Sequence, residues 1–361
     1  VSSQTTIGPV SRRPGPEIAA GPAASPGANP SLATESSRIT AQAPRGLYRF
    51  AWFTAAATFI LITAGGLVTS TGSGLAVPDW PLSYGQFFPP MVGGILYEHG
   101  HRMIAATVGL LTIALAVALW RFESRAWVRR LGIVALGAVV AQGLLGGLTV
   151  IFLLPTSISV LHACLAQAFL LCLVTIATVT RPSWGRLGIE GAEHVSARAA
   201  AQRMQAPAVI TTTAVYLQLI LGALTRHMGA GLAIPDFPLA LGRIVPPMTD
   251  PLVAIQFAHR IGALVVTSLV LLTCARALGT RRSTRAFMGP AGLLFGLTWL
   301  QIGLGATTVL SRLAVVPATA HVTTGAALLA TSLLLTLRAH KLAPLDPAAE
   351  PRFLRLSPVT P

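Results

Sequence analysis

The chain has 361 residues, of which 53% are hydrophobic and only 10% charged, with a mean hydropathy of +0.68. A soluble domain carries about 25% charged residues, so the composition excludes an ordinary soluble fold and indicates a protein of several membrane spans. The formal net charge of +15 invites a nucleic-acid reading, but the placement of the charges accounts for it without a nucleic-acid partner.

Residues 1–45 are rich in Pro, Ala, Gly and Ser and lack the apolar core of a secretory signal. A disordered cytoplasmic tail is expected over 1–47. Eight apolar segments follow, at roughly 50–71, 94–120, 131–153, 156–180, 207–227, 251–277, 288–310 and 316–337. Each supplies the ~20 residues that cross a ~30 Å hydrocarbon core. Of the 26 Lys and Arg, 21 lie in the termini and in the loops 121–130, 181–206 and 276–287. The other side carries Arg226, Arg243 and Arg312, while Arg102 and Arg260 sit beside histidines. The positive-inside rule then places both termini in the cytoplasm and the two long loops outside.

The expected organisation is an N-terminal four-helix half (48–180), a cytoplasmic linker (181–206), a C-terminal four-helix half (207–340) and a disordered cytoplasmic tail (341–361). One Lys stands against 25 Arg, which suits a high-GC bacterium and its inner membrane. The acid-poor, Arg-bearing N-terminus leaves the mitochondrial inner membrane as the alternative. Membrane lipid is the surrounding partner. Cys164, Cys172 and Cys274 all fall within spans without metal-site spacing and read as packing residues.

The two halves repeat. GSGLAVPDWPLSYGQFFPPM (72–91) returns as GAGLAIPDFPLALGRIVPPM (229–248), and Gln142, Gly146 and Thr149 return as Gln301, Gly305 and Thr308. A repeat of the same direction predicts an all-α membrane protein built as two tandem four-helix bundles, related by a pseudo-two-fold axis along the membrane normal. Gly143/Gly147 and Gly292/Gly296 have the spacing that lets helices approach closely. The Pro-rich loops, with Asp79/Trp80 and Asp236/Phe237 at matching places, read as stiff lids over the outer ends.

His101 and His162 fall just inside the second and fourth spans, and His259 and His321 just inside the sixth and eighth. All four imidazoles are expected at one depth near the outer surface. Intramembrane ionisable residues are functional candidates, and neutral imidazoles are axial ligands of heme iron. One pair per half suits two hemes, although pairing across halves is left open. Glu98, three residues before His101, shares its helix face, whereas Gln256 holds the equivalent place before His259. A carboxyl group beside only one site can move protons or stabilise a developing cation there. Arg102 and Arg260 suit heme propionates, with snorkelling as the alternative. His99 is expected to point away and lie at the interface. His194, His227 and His340 have no repeat partner and are not expected to be ligands.

GGLVTSTGSGLAVPDWPL, EHGHR, VLHA, FAHR and TAHVTTG resemble the heme A synthase family over about residues 48–340. The resemblance implies an eight-span enzyme that oxidises the C8 methyl of heme O to a formyl group, giving heme A for heme-copper oxidases. It implies that His101 and His162 flank the substrate heme, that His259 and His321 hold a permanent heme b, and that Glu98 is catalytic. Heme O synthase and terminal oxidase subunits are the protein partners it suggests. Some relatives carry an outer-loop cysteine pair; this chain has none there. The competing readings are a non-catalytic bis-histidine cytochrome b and a heme carrier or oxidase-assembly factor.

Overall fold

A computed structural model of the chain describes residues 1–3, 45–187, 193–278 and 285–343. The tails expected over most of 1–47 and 344–361 lie outside the described residues. Among the described residues the fold is helical, with two isolated bridges in place of any strand. The helices are α1 (Arg45–Ser70), α2 (Gly93–Phe122), α3 (Ala126–Ile151), α4 (Thr156–Val179), the short α5 (Pro182–Arg186), α6 (Glu193–His227), α7 (Pro251–Leu278), α8 (Arg285–Leu310) and α9 (Val315–Leu342). All except α5 contain a stretch long and apolar enough to span a membrane.

Their outward faces stay apolar: Leu110, Val117 and Leu264 are all more than half exposed. In water that exposure would be unfavourable. In lipid it costs nothing, because the acyl chains are as apolar as the side chains, and each helix satisfies its own backbone groups.

Each half closes into a ring of four helices. Neighbours in the first are α1–α2, α2–α3, α3–α4 and α4–α1; in the second they are α6–α7, α7–α8, α8–α9 and α9–α6. The halves meet through α1 with α9, α4 with α6, and α4 with α9. Exchanging the halves leaves this contact set unchanged, as a pseudo-two-fold arrangement requires. Hydroxyl groups line the seam: Thr323 donates to Thr63 (3.1 Å) and Tyr216 to the Cys164 carbonyl (3.2 Å). Cys164, Cys172 and Cys274 are free thiols within the helices.

Two sequence expectations need correction. The fifth apolar helix begins before residue 207: α6 starts at Glu193 and runs through Pro207, and its span-length stretch is Ala200–His227. Charges in this segment suggested a loop, but Ala200, Ala201, Met204 and Ala208 form a buried face that continues the helix inward. The small-residue spacing also misled. A Cβ at Gly143, Gly292 or Gly296 would meet nothing within 4 Å, and one at Gly147 would meet the Trp80 ring of the outer loop rather than a helix.

Candidate functional site

The two long loops, 71–92 and 228–250, share one turn in the two halves. Ser83 and Gln86 exchange backbone hydrogen bonds (3.0 Å each) around Tyr84 and Gly85, both at positive φ. Ala240 and Arg243 do the same around Leu241 and Gly242. Such a two-residue turn needs left-handed backbone at both central positions, which Gly85 and Gly242 adopt freely and Tyr84 and Leu241 do not. The carboxylate of Asp79 offsets that strain by accepting from Tyr84 N (2.6 Å) and Gly85 N (2.8 Å). Asp236 accepts from Leu241 N (2.7 Å) and Gly242 N (2.8 Å). These donors, Gly85 before Tyr84 and Gly242 before Leu241, hold both carboxyl groups below the usual aspartate range. The repeated Pro-Asp motif is therefore a turn-capping device.

Glu98 and Gln256 anchor the loops from below. Glu98 is 4% exposed; its Oε2 accepts from Val77 N at 2.8 Å and its Oε1 from Arg102 Nη2 at 2.7 Å. Gln256 is 3% exposed; its Oε1 accepts from Ile234 N, and its Nε2 donates to the carbonyls of Gly231 (2.9 Å) and Ile234 (3.2 Å). The frame is shared and the chemistry differs: a charged pair in one half, a neutral amide in the other. Arg102 also donates to the carbonyls of Asp79 (2.7 Å) and Leu82 (3.0 Å). Arg260 donates to those of Leu239 (2.8 Å), Ile234 (2.9 Å) and Asp236 (2.8 Å). Both guanidinium groups thus hold loop backbone, and any contact they make to a ligand carboxylate is additional to that task.

His99 is not interfacial. It is 6% exposed and lies under the first loop, with Nδ1 2.7 Å from Ser83 Oγ. The second half has Phe257 and Ala240 at these places, inside a small apolar cluster. The sequence hint was the Ser83/Ala240 and His99/Phe257 pair of differences, each of which looked neutral alone.

The four repeated histidines lie on α2, α4, α7 and α9. The rings of His259 (α7) and His321 (α9) are 6.4 Å apart between centroids and nearly perpendicular, at 74°. Two metal–nitrogen bonds of about 2 Å, plus about 1 Å from each nitrogen to its ring centre, span roughly that distance. His101 (α2) and His162 (α4) stand at the corresponding places of the first half. The ring geometry pairs His259 with His321 within the second half.

A glycine of a neighbouring helix backs every ring. A Cβ would meet the ring Cε1 at 3.1 Å at Gly65 (His101), 3.4 Å at Gly146 (His162), 3.0 Å at Gly222 (His259) and 3.0 Å at Gly305 (His321). The repeat had singled out Gly146 and Gly305; Gly65 and Gly222 it had not. His321 Nδ1 donates to the Gln301 carbonyl (3.1 Å), and its Nε2 faces the Gln301 amide (3.3 Å). That tautomer makes Nε2 the acceptor of the Gln301 amide, so a metal at Nε2 would take the place of this amide contact. Gln218 lies 3.0 Å from His259 Nδ1 and donates to the His259 carbonyl at 2.7 Å. Its first-half counterpart is Leu61, and His101 Nδ1 has no side-chain partner. Among the described residues no group of three or more His, Cys, Asp or Glu could hold a bare metal ion. Isolated opposed pairs fit a metal whose other ligands come with it.

The sequence profile of a family described as cytochrome oxidase assembly protein matches residues 48–93 and 93–333. Among similar proteins, the heme A synthase of Shouchella clausii is 29% identical over 273 residues, covering 74% of this chain and 88% of its own length. That of Symbiobacterium thermophilum is 34% identical over 223 residues, 60% of this chain and 70% of its own. That of Alkalihalophilus pseudofirmus is 29% identical over 263 residues, 72% and 86%.

Proposed function

The chain belongs to the cytochrome oxidase assembly protein family, and from that premise we propose that it is a heme A synthase, an oxidoreductase of the bacterial inner membrane. Its substrate is heme O and its product heme A, formed by converting the C8 methyl to a formyl group. His101 and His162 flank the substrate. His259 and His321 hold a heme b, which supplies electron transfer when bound. The outer loops close both sites from outside, with both termini in the cytoplasm.

One observation carries the assignment of roles: Glu98 and Gln256 occupy the same place in the two halves and each accepts from the corresponding loop N–H. The fold needs only a hydrogen-bonding group there, since an amide serves the second half. The carboxylate of the first half therefore answers to chemistry. The conversion takes four electrons from the methyl carbon, which pass to an oxidant from outside the chain, and replaces two of its hydrogens by one oxygen, so protons and positive charge develop at one porphyrin edge. Glu98, one turn from His101, is placed to accept a proton or stabilise that charge. Arg102 fixes the carboxylate's orientation through the 2.7 Å ion pair. Val77 N holds its other oxygen and ties the loop to the reacting half. Gly65 and Gly146 let the two imidazoles approach their neighbouring helices closely, which sets the room between them.

The test is product analysis in a host that makes heme O. Membranes containing the wild-type chain should yield a formyl heme. Those containing Glu98→Ala should yield heme O or a hydroxylated derivative. Heme b alone in every preparation would favour an electron-transfer cytochrome instead.

A further inference from the structure

Arg226 is a cation that neither loop uses. It stands one residue from the outer end of α6, partly buried. Its Nη2 donates across the seam to the Gly66 carbonyl (2.9 Å) and Ser70 Oγ (2.7 Å) of α1. Ser70 Oγ also accepts from Thr319 of α9 at 3.0 Å, two residues before His321. The guanidinium is thereby fixed where α1, α6 and α9 meet, within electrostatic reach of the His321 ring.

Three observations say that something is missing from its surroundings. The ion pairs among the described residues are Glu98–Arg102 and Glu123–Arg125, so no carboxylate neutralises Arg226. Its Nε and Nη1 have no hydrogen-bond partner among the described residues, both bonds being made by Nη2. The repeat does not need a cation there for packing: the first-half counterpart is Thr69, which donates back to its own helix at Gly65 (3.1 Å). A partly desolvated charge without a counter-ion is unfavourable, and a planar guanidinium with a free edge matches a carboxylate. The arginines beside the histidines, Arg102 and Arg260, already hold loop carbonyls.

We propose that Arg226 is a carboxylate-binding residue of the second-half site, its free N–H edge taking a propionate of the porphyrin held between His259 and His321. This rests on the heme reading of that histidine pair. It adds a charged contact from the seam, so that the second heme is gripped where the two halves join.

The test uses the full chain carrying His101→Ala, which leaves the second pair as the intact one, prepared in detergent from a heme-deficient host. It is titrated with hemin and with hemin dimethyl ester, whose propionates carry no charge, and followed by absorbance. Hemin should bind at least about tenfold more tightly than the ester, the scale of a charge-assisted hydrogen bond. Arg226→Gln should weaken hemin by a similar factor and abolish the difference between the two probes. Arg226→Thr, the side chain the first half uses, should do the same and guards against a folding defect peculiar to one variant. An ester penalty that persists undiminished in both variants overturns this proposal alone. Hemin binding that is absent, or that survives loss of both His259 and His321, overturns the heme reading and this proposal with it.

Discussion

Replacing Glu98 with Gln separates the architectural task of this residue from its chemical one. The carboxylate makes two bonds, to Val77 N (2.8 Å) and Arg102 Nη2 (2.7 Å), and its side chain is 5% exposed. An amide keeps the first through its oxygen. Its nitrogen can then donate to the carbonyls of Gly74 and Val77, as Gln256 does to Gly231 and Ile234. Arg102 loses its counter-charge but retains the Asp79 and Leu82 carbonyls. The net cost to stability should be that of about one hydrogen bond to a charged group, roughly 1.5–3 kcal/mol. Truncation to Ala is worse: it orphans Val77 N and Arg102 together, and breaking a buried pair costs about 3–5 kcal/mol. Loss of a positioned acid–base group should lower turnover at least ~10²-fold. Glu98→Gln should therefore fold, retain its heme b and accumulate heme O or a hydroxylated intermediate. The assay combines thermal unfolding with chromatography of extracted hemes, against wild type and Glu98→Ala. Heme A at near wild-type levels in the glutamine variant would refute the reasoning and reduce Glu98 to a loop anchor.

Gly222→Ala places a methyl group 3.0 Å from the His259 Cε1, so the ring must turn; purified protein should lose second-site heme while first-site heme remains, whereas Gly143→Ala, with nothing within 4 Å, should change neither. Gln218→Leu installs the first-half residue beside His259 Nδ1 and removes the amide that faces that nitrogen and donates to the His259 carbonyl; the less firmly held ring should show as faster heme loss on dilution and a shifted reduction potential. Reporter fusions after residue 361 and within 121–130 should report the cytoplasm and one near residue 240 the opposite side; a cytoplasmic signal at 240 would overturn the topology.

The eight spans were legible because lipid imposes one simple requirement, about 20 apolar residues per crossing. The four histidines stood out because duplication marks what a composition cannot. What escaped the sequence depends on which side chain reaches which backbone. Gly65 and Gly222 read as ordinary small residues of an apolar run until the rings of His101 and His259 were found against them. The Gly143 and Gly292 spacing looked like a helix contact, but only a neighbouring backbone can make one, and none lies there. His99 points away from the Glu98/His101 face, so it read as interfacial; the loop folds back over it and buries it on Ser83. Arg226 was read as one of a few charges on the outer side. Its bonds to α1 come from the docking of one half on the other, which local pattern does not encode. The extension of α6 back to Glu193 has the same origin, since the face of Ala200, Ala201 and Met204 is apolar enough for a helix only once it is buried.

The most direct measurement is conversion by the purified chain itself. Detergent-solubilised protein is incubated with heme O and air, and the porphyrins are separated and weighed at intervals. The expected product has lost two hydrogens and gained one oxygen at a single methyl and shows a formyl absorption band, and Glu98→Gln should yield no such product. Heme O recovered unchanged beside a stably bound heme b would contradict it.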